Sequence, residues 1–100
     1  MIRYEVIVRI KPGVPRASID QALAHVRQLI GDIAGVERIR TGANNTPDYR
    51  HAMVVIDLQD EMAIQRMQRH PLHTRAVRTL GRLAESTAVG SYLVTSDHQR

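Results

Sequence analysis

One hundred residues give room for a single hydrophobic core, and a chain without cysteine has no disulfide, thiolate nucleophile or cysteine-based metal cluster. Lys and Arg number 14 against 10 Asp and Glu, a formal charge of +4, yet the arginines are spread singly. Only three tyrosines, with no Phe or Trp, are available to stack on bases, so the charge reads as a solvated surface and not as a nucleic-acid interface.

The opening MIRYEVIVRIK places charges inside its apolar run and shows no small-residue cleavage site, and no run approaches bilayer length. A soluble cytoplasmic protein with no membrane partner is expected. Over residues 2 to 11, Ile2, Tyr4, Val6, Val8 and Ile10 alternate with Arg3, Glu5, Ile7, Arg9 and Lys11, which predicts a strand. Lys11-Pro12-Gly13 stops it, and Pro15 is expected to open a helix as its first residue. Ile19, Leu23, Val26 and Ile30 then recur at helical spacing. Val36 to Thr41 predicts a short second strand, followed by the turn-forming GANNTPD.

Residues His51 to Leu58 predict a third strand whose faces are both largely apolar, His51, Met53, Val55 and Asp57 on one and Ala52, Val54, Ile56 and Leu58 on the other. Helices can cover one face, but so short a chain has no second layer for the other, and a partner subunit is the economical cover. Asp60 can cap a helix containing Ala63, Ile64 and Met67, which must end before Pro71. Another helix starts near Pro71, with Leu72, Ala76, Val77, Leu80 and Leu83 on one side, and Gly90 to Thr95 reads as the last strand. The order strand, helix, strand, strand, split helix, strand is the ferredoxin-like α+β arrangement, one domain over residues 1–100 with 96–100 as a loose tail.

Three groups of residues carry chemistry. The stretch RHPLH, Arg69 to His73, separates two imidazoles by a proline that breaks the helix between them, so it reads as helix punctuation or an acid/base site and not as a metal site. His73, in the first turn after Pro71, meets the positive end of the helix dipole, which favours the neutral imidazole a general base requires; the plainer alternative is a hydrogen bond that closes the junction. Tyr4, His51, Met53 and Val55 are expected to share a face if the first and third strands are neighbours, and with Met67 and His73 to line an apolar pocket. The plainer alternative is a filled core. The segment Gly42 to Arg50 is a connection or a lid, with Arg50 placed to meet an anionic ligand.

MIRYEVIVRIKPG, Tyr49-x-His51-Ala52 leading into the third strand, His70-Pro71-x-His73 and the spacing between them resemble the stress-responsive A/B barrel domain family, over nearly the whole chain. The resemblance implies a ferredoxin-like four-stranded antiparallel sheet that pairs with a second copy into a dimeric α+β barrel. It also implies a pocket drawn from Tyr4, Tyr49, Met53, Val55, Met67 and His70, with no cofactor or metal. A plant polyketide cyclase of this family uses the second histidine of the same motif as base, which carries over to His73, with His51 near the cavity. Met67 and Tyr4 stand where that cyclase has a tyrosine and a histidine. The expectation is therefore a homodimer binding a small hydrophobic or anionic metabolite. The alternatives are a cofactor-independent cyclase-like enzyme with His73 as base and, more distantly, a cofactor-free monooxygenase.

Overall fold

Nine alternating residues make strand β1, Ile2–Ile10, whose even positions are mostly buried and whose odd positions are more open. The computed structural model describes residues 1–44, 46 and 50–95, so Tyr49 and the 96–100 tail lie outside the described residues. After the turn, Pro15 is the cap of helix α1, Arg16–Gly31, and stands one position before the helix instead of opening it. Its extended backbone turns its carbonyl to accept from the N–H groups of Ser18 and Ile19 at 3.0 and 3.2 Å, the role of an N-cap carbonyl. One stripe of α1 (Ile19, Leu23, Val26, Leu29 and Ile30) is buried.

Strand β2, Val36–Ala43, runs two residues beyond its expected end and takes in Gly42, and strand β3 covers His51–Leu58 as expected. Asp60 caps helix α2, Glu61–Arg69, with Oδ1 accepting from the Ala63 N–H at 2.9 Å. Helix α3, Pro71–Gly81, follows after the single residue His70, whose ψ of 137° breaks the helical path. Strand β4 spans Ala84–Leu93, six residues earlier than its expected start. AESTAV is poor in strand-forming residues, and it is the antiparallel ladder with β1 that holds it extended.

The sheet order is β2-β3-β1-β4, with each neighbouring pair antiparallel. This is the ferredoxin-like βαββαβ arrangement. The register pairs Tyr4 with Ile56, Val6 with Val54 and Val8 with Ala52, so the even residues of both central strands form one face. That face packs on the helices: Val8, Ala52, Val54 and Leu58 are at most 1% exposed and join Ile19, Val26 and Ile30 in the core. Each Val, Leu or Ile among them contributes roughly 1.5–3 kcal/mol by burial, and Ala52 less.

Among the described residues, no helix lies over the opposite face. There Ile7 and Met53 are 41% and 38% exposed, beside a half-buried Val55. Asp57 is the exception at 4% exposed: Arg3 Nε donates to its Oδ1 at 2.8 Å, and Arg40 approaches Oδ2 at 3.9 Å. The hydrogen bond from Arg3 holds the Asp57 carboxyl below the usual carboxylate range, with the nearby Arg3, Arg40 and Arg38 charges reinforcing it.

Candidate ligand pocket

Side-chain parity decides which candidate residues meet. Tyr4 lies on the helix-facing side of β1, whereas His51, Met53 and Val55 pair with Arg9, Ile7 and Glu5 and point to the open side. The expected common face of Tyr4 with these three is thus corrected by the antiparallel register, which aligns even with even and odd with odd. Met67 is fully buried in the core and does not reach the cavity.

Between the sheet and the helices α1 and α3 lies a cavity of about 250 Å³. Its floor is Tyr4, Val6, Val54 and Ile56, and its roof includes Val26 and Ile30 of α1 and Ala76 of α3, with His73 on its wall. Val6 stays only half-buried although it faces the helices, because it opens onto this space. The mouth lies between α3 and β4, where the lining residues Val77 and Val89 are 55% and 56% exposed. Thr87 of β4 adds a hydroxyl to the rim.

Local sequence explains how His73 comes to the wall. Pro71 has no N–H and so begins α3 without loss. His70 then satisfies the next donors: its Nδ1 accepts from the Leu72 N–H at 3.1 Å, and its carbonyl accepts from the N–H groups of His73 and Thr74. His73, two residues past the proline, faces the cavity with its ring half-buried. Burial lowers its pKa below the usual imidazole value, leaving a neutral ring that can both donate and accept a proton. Among the described residues, neither that ring nor the Tyr4 hydroxyl has a hydrogen-bond partner, and no fully buried side-chain polar atom lacks one. Both groups are therefore open to solvent at the cavity.

His70 is punctuation, bound to its own junction and absent from the cavity. Among the described residues, no three His, Asp or Glu side chains gather as a metal site. The Arg50 guanidinium, expected to meet an anionic ligand, instead donates to the carbonyls of Val14 and Lys11 and ties the turn after β1 to the start of β3. Thr87 and Val89 escape sequence reasoning because the last strand is read as starting at Gly90. Val26 and Ile30 are visible in the helical stripe, but nothing in that stripe separates a cavity roof from a filled core.

No curated protein matches the chain. Solved structures share the fold. An Arabidopsis thaliana protein is 16% identical with a TM-score of 0.83, over 99% of this chain and 100% of that one. A dimeric ferredoxin-like protein of unknown function from Thermobifida fusca is 21% identical with a TM-score of 0.80, over 93% and 90%. A mutant of SnoaB, a cofactor-independent oxygenase from Streptomyces nogalater, is 13% identical with a TM-score of 0.77, over 96% and 94%. The model of the Stress responsive A/B Barrel Domain matches residues 2–94, and the chain belongs to that family.

Proposed function

We propose that the protein is a cytoplasmic homodimer that binds a small, largely apolar molecule between sheet and helices. The observation that carries the reading is the 250 Å³ cavity, apolar except for the Tyr4 hydroxyl, the His73 ring and the Thr87 hydroxyl. A few converging polar groups in an apolar cleft are the usual character of a small-molecule site. The second copy is supported by the exposed Ile7 and Met53 on the open sheet face and by the dimeric relative from Thermobifida fusca. Native mass spectrometry of untagged protein tests both parts: a mass of two chains with a discrete retained small molecule is expected, and a bare monomer contradicts the reading.

The neutral His73 on the cavity wall favours a second reading, cofactor-independent proton transfer next to a carbonyl. Its imidazole would take a proton from the carbon beside the carbonyl and return one from solvent. Hydrogen–deuterium exchange at the methyl group of an aryl methyl ketone, followed by NMR in heavy water, measures this step. His73→Gln is expected to keep ketone binding and lose the exchange; exchange that survives in His73→Gln removes the base role.

A further inference from the structure

The charge of the occupant can be read from what surrounds the cavity. Among the described residues, no Lys, Arg, Asp or Glu lines it. Several arginines within reach of the sheet are engaged elsewhere: Arg3 on Asp57, Arg27 on the Thr41 hydroxyl, and Arg50 on the two backbone carbonyls. The other usual source of positive potential, a helix N-terminus with free N–H groups, is closed as well. At the start of α3 Pro71 has no N–H, and the N–H groups of Leu72, His73 and Thr74 are all taken by His70. The imidazole of His73 is held neutral by the same apolar surroundings. An anion placed here would lose its hydration and meet no compensating charge, a large penalty.

Resting on the pocket reading above, we propose that the cavity takes an uncharged aromatic molecule with one hydrogen-bonding group, such as a phenol or an aryl ketone, and rejects the carboxylate of the same size. The polar group meets Tyr4 or His73 at the inner end, and the apolar body lies against Val6, Val54 and Ile56 and leaves through the gap between Val77 and Val89. At about 250 Å³ the space falls just under the roughly 300–1,000 Å³ typical of ligand pockets, which favours one or two fused rings over a longer molecule.

The test is isothermal titration of the dimer near neutral pH with a matched pair, 2-naphthol and 2-naphthoate. Naphthol is expected to bind one per subunit, and more tightly than naphthoate by at least about tenfold. Val77→Trp, at a rim position 55% exposed, is expected to weaken naphthol by a similar factor by narrowing the mouth. Naphthoate binding as tightly as naphthol overturns the charge selectivity and leaves the pocket standing. Naphthol affinity indifferent to Val77→Trp places binding elsewhere and overturns the inference. Failure of naphthol, naphthoate and plain naphthalene alike overturns the inference together with the pocket reading beneath it.

Discussion

Two histidines three residues apart hold opposite offices. His70 lends its Nδ1 and its carbonyl to the first turn of α3, so His70→Ala is expected to cost about 1 kcal/mol in urea unfolding, as lost N-caps do, and to leave naphthol affinity unchanged. His73 acts toward the cavity, and its depressed pKa has a definite sign. Between that lowered value and the roughly 6.5 of an unfolded imidazole, the unfolded chain binds more protons. Stability contributed by His73 is therefore complete above about pH 6.5 and lost as pH falls through the folded value. His73→Gln is expected to flatten that part of a stability-versus-pH curve. Asp57 works in a lower window: its carboxyl is held down by Arg3, so its share persists above the unfolded carboxylate value and fades as pH drops below about 4. A curve for Asp57→Asn that still falls in that window to the same extent would remove Asp57 as the cause. At Gly35 the backbone has φ +92°, and an added Cβ would sit 2.8 Å from the Ala63 Cβ. Gly35→Ala is expected to lower stability by about 2 kcal/mol, read as a lower urea midpoint with an unchanged slope. His73 stands out in the sequence by its place after Pro71 and Tyr4 by its strand parity, and both line the cavity. His51, Met53 and Val55 are not separable from them by type, because only the pairing register tells which parity faces the helices.

Elements differ in how openly their sequences announce them. Strand β3 is legible at both ends because His51 to Leu58 is dense in strand-forming side chains between a turn and a cap. The α2 start is legible in Asp60, whose carboxylate takes the Ala63 N–H; Asp60→Ala is expected to cost about 1 kcal/mol, measured by thermal unfolding, and an unchanged midpoint would contradict the cap. Strand β4 is the element the sequence hides. Its residues 84–89 contain Ala, Glu and Ser at positions with little intrinsic strand preference, and its exposure is high along its whole length, so no burial periodicity marks it. What keeps it extended is the long-range ladder to β1, a tertiary effect that a local window does not contain. That same strand supplies Thr87 and Val89 to the pocket mouth, so the part of the site built on β4 stays out of reach of sequence reasoning.

Across the whole molecule, one sheet face carries the cavity and the helices, and the other presents Ile7, Met53 and Val55 around the Arg3–Asp57–Arg40 cluster. The uncovered face was legible as a need for a second layer, since β3 is apolar on both sides. Its occupant is the second copy proposed above, and Met53→Arg, which puts a charge at the centre of that face, is expected to shift the protein to monomer in analytical ultracentrifugation. A dimer that persists unchanged in Met53→Arg would place the contact on another surface. The division of labour between the faces is the central claim, and an NMR titration of isotope-labelled protein with 2-naphthol tests it most directly. Resonances of Tyr4, Ile30, Val54, Ile56, His73 and Val89 are expected to move together with a single affinity while those of Ile7, Met53 and Val55 stay still; movement confined to the open-face residues would contradict the account.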